Sequence, residues 1–277
     1  MKSLLTLTSL FLKQLIRRRS LWIVLIVFAA MISVNYFIQS QMEKAIGRGV
    51  SFDIATRQAA SALQSFAEQI RSYSVFLILI VSALVAPVSR KDGTTQFVLT
   101  LSVNRLRLAL SQYTALSVLV FATVIIVHVG YVMAARKLGI MSAGEMALSW
   151  VFLLIPLMLF SAVIFSFSLS HSAIVTYIVF MAIPYIIIGL AEVGIEELAD
   201  YVPMAVVRFM DNLKLLFPDI RGLIVWPKLS FGIVSKTPPF PNWTWQIVHT
   251  VSASFFWILL GFWFYRNYDF GSRTATK

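Results

Sequence analysis

The residues able to do covalent chemistry are few and do not converge. His128, His171 and His249 are the three histidines, and no H-E-x-x-H run, paired histidine or clustered carboxylate accompanies them. A zinc or copper centre needs three or four such ligands at one point, so no metal site is expected. The chain has no cysteine, which excludes disulfides, thiolate metal ligation and thiol catalysis. Its ten methionines form no Met-x-x-Met cluster and read as packing residues. No G-x-x-x-x-G-K-S/T run is present, so no loop of this chain cradles the phosphates of a nucleotide. Ser161, Ser166 and Ser168 are expected to hydrogen-bond within or between helices. This inventory leads to the expectation of no enzyme activity and no cofactor.

Composition says where function has to lie. Hydrophobic residues make up 59% of the 277, charged residues 13%, and the mean hydropathy is +0.83. Soluble domains carry about 25% charged residues, so half that share points to lipid as the solvent. A helix crosses the hydrocarbon with about 20 apolar residues. Six stretches come near that requirement, at 21–38, 74–88, 108–134, 147–169, 173–191 and 246–265. The expected fold is therefore an all-α integral membrane protein, one transmembrane domain over residues 1–277. Pro156 and Pro184 lie inside spans and predict kinks used in packing.

The remaining segments fit around these spans. Residues 2–19 read as an amphipathic helix lying on the membrane, with Leu4, Leu5, Leu7, Phe11, Leu12, Leu15 and Ile16 on one side. Lys2, Lys13 and Arg17 fall opposite, with Leu10 and Thr8 as exceptions. A signal peptide is disfavoured, because the apolar run that follows is long and lacks an A-x-A-like cleavage site. Residues 39–73 form an outer loop whose part from Asp53 to Tyr73 has helical character and continues the second span outward. Residues 192–245 hold Glu192, Glu196, Glu197 and Asp200, several apolar turns, and Pro238, Pro239 and Pro241. They read as short outer helices resting on or dipping into the outer leaflet.

Charge sets the topology. The N-terminal segment, the 89–107 connection, the 170–172 turn and the C-terminal tail together hold 12 Lys/Arg against 2 Asp/Glu. The other connections hold 11 against 10, so nearly all of the net +11 sits on one side. Basic residues mark the cytoplasmic face, which puts both termini there. The excess thus has a membrane cause, and no nucleic-acid partner is expected. Trp22 and Trp263 fall at the inner boundary, and Trp150, Trp243 and Trp245 at the outer one, as interfacial tryptophans do.

The 89–107 connection is the most informative segment. Pro87 and Gly93 punctuate it, and Asp92, Gly93, Thr94 and Thr95 offer helix-start chemistry. Phe97, Val98 and Leu101 then form a small apolar face, followed by Asn104, Arg105 and Arg107. The residues themselves leave two readings open. One is a surface that docks another protein; the other is an interfacial loop whose apolar residues dip into lipid.

The same segment resembles the first cytoplasmic loop of type-2 ATP-binding cassette (ABC) permeases. There an acidic residue and Gly-Thr precede a Leu-rich turn and a Ser/Asn-Arg pair. The matching positions are Asp92, Gly93, Thr94, Leu99, Leu101, Asn104 and Arg105. The chain departs where Lys91-Asp92 replaces a frequent Glu and Val103 a usual Pro. The close of the last span, running through Phe264, Tyr265 and Arg266 to Asp269, is similar to that family's Phe-Arg-x-x-Asp ending. The copper-processing and nitrous-oxide-cluster permeases share this size. Glu196-Glu197 also looks like the pair of CAAX-type intramembrane proteases, but the Arg they carry four residues on is Tyr201 here, and that reading is rejected.

The ABC resemblance implies a permease subunit in a bacterial inner membrane, dimeric, driven by two copies of a separate ATPase. The ATPase would engage a coupling site comprising Asp92, Gly93, Thr94, Phe97, Val98, Leu101, Asn104, Arg105 and Arg107. Phe97, Val98 and Leu101 would enter its groove, and Arg105 and Arg107 would meet acidic residues or phosphates. The first, second and fifth spans would line the route, contributing Ser33, Asn35, Tyr36, Ser82, Thr176 and Tyr177. These are polar and uncharged, which suits export of an amphiphile better than passage of an ion. The alternative is a mechanical transmitter, passing ATP-driven motion to an extracytoplasmic partner at 39–73 and 192–245 with nothing crossing.

Overall fold

A computed structural model describes residues 2–17, 73–91, 93–100, 103–137, 143–183, 215–218 and 243–267. Isolated positions between 19 and 40 and between 203 and 212 are also described. The described residues are helical, with no strand among them. The helices are α1 (Lys2–Ile16), α2 (Tyr73–Lys91), α3 (Thr94–Thr100), α4 (Arg105–Lys137), α5 (Ala143–Ser168), α6 (Ala173–Tyr177) and α7 (Trp243–Asn267). Helix α6 runs on without a break into a π-helix at Ile178–Ala182.

Three helices are long and apolar enough to cross a membrane, at Tyr73–Lys91, Arg105–Ile126 and Ile247–Asn267. They cover the expected second, third and sixth spans. The expected fourth span lies in the 26-residue α5, whose apolar part is Leu153–Ser168 and which passes through Pro156. The fifth is described as far as residue 183. Most of the first span, residues 53–72 and most of 192–245 lie outside the described residues.

Small side chains let these helices approach closely, as bundles in lipid require, because apolar surface alone gains little by leaving lipid tails. Ser82, Ala83, Ala86 and Ser89 are buried on α2, and Ala109, Ser111 and Ala115 on α4. The tightest crossing joins α5 and α7. A Cβ on Gly261 would stand 2.6 Å from the Ser166 carbonyl carbon and 2.8 Å from the Phe167 nitrogen. Ser168 Oγ donates to Ser82 O at 3.1 Å, joining α5 to α2. Tyr113 OH reaches Met158 O and Ser161 Oγ, both at 3.0 Å, joining α4 to α5. Of the three long helices α2 is the most enclosed and α7 the least, with Phe255, Phe256, Leu259 and Trp263 exposed.

Helix α1 departs from the expected division of its faces. Phe11 and Leu15 are buried, Leu7 and Leu12 pack on the core, and the helix lies chiefly against α4. Leu5, Leu10 and Ile16 are exposed. The apolar side is therefore split between protein and surroundings. The reason is spacing: Leu7, Phe11 and Leu15 repeat every four residues and make a narrow ridge that one neighbouring helix can cover.

Candidate functional site at the 89–107 connection

The turn between α2 and α4 is built around one residue. Gly93 has φ +72°, a left-handed conformation that costs other residues energy. Its N–H donates to Arg90 O at 3.2 Å, closing α2, and its carbonyl accepts from Phe97 N at 2.9 Å, opening α3. Downstream, Asn104 caps α4. Its Oδ1 accepts from Leu106 N at 2.9 Å and its carbonyl from Leu108 N at 3.0 Å.

Helix α3 is seven residues long and tied on three sides. Thr94 Oγ1 accepts from Gln14 Nε2 at 2.8 Å, which joins it to α1. Thr95 Oγ1 lies 3.1 Å from Ser89 Oγ, which in turn accepts from Gln112 Nε2 at 3.0 Å. Ser89, Thr95 and Gln112 are all buried, so this hydroxyl–amide cluster bonds α2, α3 and α4 in a dry setting. Phe97 points the other way and is 65% exposed.

Two arginines of the connection close the ends of other helices. Arg90 donates to Leu169 O at 2.7 Å, His171 O at 2.6 Å and Ser168 O at 3.2 Å, capping α5. Arg105 donates to Arg266 O at 2.9 Å and Tyr265 O at 3.4 Å, capping α7. Each guanidinium sits at the negative end of a helix dipole and satisfies carbonyls that the helix leaves free. Beside them His171 stacks on Phe167, with ring centroids 4.0 Å apart, and its Nδ1 lies 3.0 Å from Phe167 O. The carboxyl ends of α2, α5 and α7, the amino end of α4 and the region of α1 around Gln14 therefore meet at one end of the bundle. The 89–107 connection, the 170–172 turn, the N-terminal segment and the approach to the tail, which charge counting groups together, are brought to that end.

The expected coupling residues divide accordingly. Gly93 and Thr94 form the turn, Phe97 is outward, and Asn104 and Arg107 are exposed. Val98 differs from the expectation. It is buried in the chain's own core, because Thr95 and Val98 share the inward face of α3 while Phe97 takes the other. Arg105 is also turned inward, onto the end of α7, and Arg107 alone of the two is exposed. Asp92 and Leu101 lie outside the described residues.

Among the expected lining residues, Ser82 and Thr176 are buried, Tyr177 is half-buried and Ser33 is exposed. Ser33 Oγ donates to Ala29 O at 2.8 Å and Thr176 Oγ1 to Ser172 O at 3.0 Å, both within local turns. Ser82 Oγ has no partner among the described residues. Asn35 and Tyr36 lie outside them. No group of three His, Asp or Glu that could hold a metal occurs among the described residues.

Gln14, Ser89, Arg90 and Gln112 were missed as site residues. Arg90 had a readable signal: a basic residue in the last turn before a glycine break can reach the carboxyl end of a neighbouring helix. Gln14 and Gln112 had none, because nothing in one sequence pairs them with Thr94 and Ser89. No family model matches this chain, and no curated protein does either.

Proposed function

We propose that this chain is the membrane-spanning permease subunit of an ABC transporter, moved by a separate ATPase that grips α3. The supporting observation is mechanical. Helix α3 offers Phe97 outward while bonded through Thr94 to α1 and through Thr95 to the cluster joining α2 and α4. The arginines on either side of it hold the ends of α5 and α7. A displacement of α3 is therefore passed to every long helix described, as rigid-body tilting requires.

In this reading the bundle has six spans, both termini face the cytoplasm, and α1 rests at the inner interface with Leu5, Leu10 and Ile16 toward lipid. Two copies form the pathway, two ATPase subunits drive it, and the membrane is a bacterial inner membrane. Half-buried Tyr177 and exposed Ser33 can face such a pathway, and their uncharged polarity suits an exported amphiphile, whereas Ser82 and Thr176 are buried within one copy.

Phe97→Asp tests the docking contact, because an exposed residue can change without disturbing the fold. Central interface aromatics are worth about 2 kcal/mol or more, so the affinity for the ATPase should fall roughly 30-fold, and its recovery with the tagged permease should drop accordingly. Equal recovery would refute the docking surface. Impermeant labelling of Phe97→Cys from the extracytoplasmic side would refute the topology.

A further inference from the structure

A second feature lies far from α3, on the flank where α7 meets α6. The described turn at residues 215–218 is held by two side chains of α7. Trp257 Nε1 donates to Leu216 O at 2.6 Å, and His249 Nε2 donates to Leu215 O at 2.9 Å. Phe217 stacks on Trp257 with centroids 5.7 Å apart and planes 24° apart. Phe180, inside the π-helix, meets both rings edge-on, at 5.0 Å from Trp257 and 6.5 Å from Phe217.

Depth makes this turn unusual. Trp257 is ten residues from each end of the apolar stretch Ile247–Asn267, about 15 Å from either at 1.5 Å per residue. His249 lies two residues from the end farther from α3. The turn, bracketed by the two, sits in the half of the hydrocarbon farther from α3. Irregular backbone at that depth persists only when its carbonyls find partners inside the protein. Leu215 O and Leu216 O find them in His249 and Trp257. The helix beneath is widened into a π-turn at the one place where Phe180 must reach the pair, and such widened turns recur at moving or functional sites.

We propose that residues 215–218 form a latch, seated in the membrane by Trp257 and His249 with Phe180 as its backstop, whose release uncovers the Phe180–Trp257 contact between the π-turn and α7. This rests on α7 crossing the membrane, part of the reading above, and not on an ATPase partner. The two readings can therefore fail separately. When seated, the latch covers that contact with the ring of Phe217. When released, it exposes the two carbonyls and the ring faces to whatever enters.

The chain's lack of cysteine permits a clean test. Leu216→Cys in native vesicles, made permeable so that both faces are reached, is treated with a membrane-impermeant maleimide and compared with Phe97→Cys. Leu216 is 46% exposed, so with α7 across the membrane its side chain faces lipid. A thiol in such apolar surroundings loses about tenfold in reactivity for each unit its pKa rises, so Leu216→Cys should react at least that much more slowly. Adding Trp257→Phe, which keeps a ring but removes the donor, should speed labelling several-fold. Adding His249→Ala, at the other carbonyl, should do the same and covers the case in which Trp257→Phe fails to insert. Labelling of Leu216→Cys as fast as Phe97→Cys overturns the seat. Slow labelling that neither added substitution accelerates overturns the latch. No ATP is needed, so either failure leaves the α3 docking test untouched.

Discussion

Gly261→Ala tests the α5–α7 crossing, on which the bundle's outer flank depends. The new methyl would stand 2.6 Å from the Ser166 carbonyl carbon, 2.7 Å from its oxygen and 2.8 Å from the Phe167 nitrogen. Ordinary contact begins at 3.4 Å, so the helices must part by about 0.8 Å or more. All three neighbours are backbone, so no side-chain rotation can relieve the clash. Forced overpacking of this kind costs about 1–3 kcal/mol. Alanine gains about 1 kcal/mol over glycine in helix propensity, which masks part of that cost. Gly144→Ala, on α5 with nothing within 4 Å of its Cβ, supplies the comparison. Gly144 lies in the first turn, where the propensity gain is smaller than in a helix interior, so the difference between the two variants should be about 1–2 kcal/mol. It would be read as a lower thermal midpoint for Gly261→Ala, by loss of the monodisperse peak in mild detergent. If Gly261→Ala were as stable as Gly144→Ala, α5 and α7 would not cross at Ser166, and the packing of α7 described above would be wrong.

Other substitutions probe the end that carries α3. Arg90→Gln removes a charge-assisted donor from three carbonyls of Ser168, Leu169 and His171, at a cost of about 2–4 kcal/mol. Arg90→Lys, which cannot fork across three acceptors, should restore less than half of the lost thermal stability. Gly93→Ala meets no side chain but keeps φ +72°, so it should cost about 1–2 kcal/mol, from backbone strain alone. Gly93→Asn should cost less, because Asn tolerates that region. Equal midpoints for the Ala and Asn variants would show that the turn is not left-handed.

How much could be read without coordinates depends on how local each cause is. The helical, membrane-compatible character follows from composition and run length, and Tyr73–Lys91, Arg105–Ile126 and Ile247–Asn267 coincide with three of the expected spans. Gly93 was legible because a turn glycine acts on its own neighbours; Asn104 was expected as a coupling residue and not as the cap of α4 that it forms. Val98 was not legible. Its apolar type suits either face of a seven-residue helix, and only the position of α4 decides that it turns inward. Arg105 was assigned outward for the same reason: a charge near a membrane surface reads as solvated until a helix end is found within its reach. The split of α1 into a protein-facing ridge and an exposed remainder likewise depends on where α4 lies. The seating of residues 215–218 against Trp257 joins positions about forty apart, and no periodicity encodes that.

The two arginine caps have a consequence for how the α3 end tolerates its surroundings. Each guanidinium holds two or three carbonyls at once in a planar fork, so losing one contact leaves the others in place. Because Arg90 is half-buried, dissolved ions reach its contacts poorly as well. The joint between the connection and the end of α5 is thus shielded from brine, and what loosens it has to be a push.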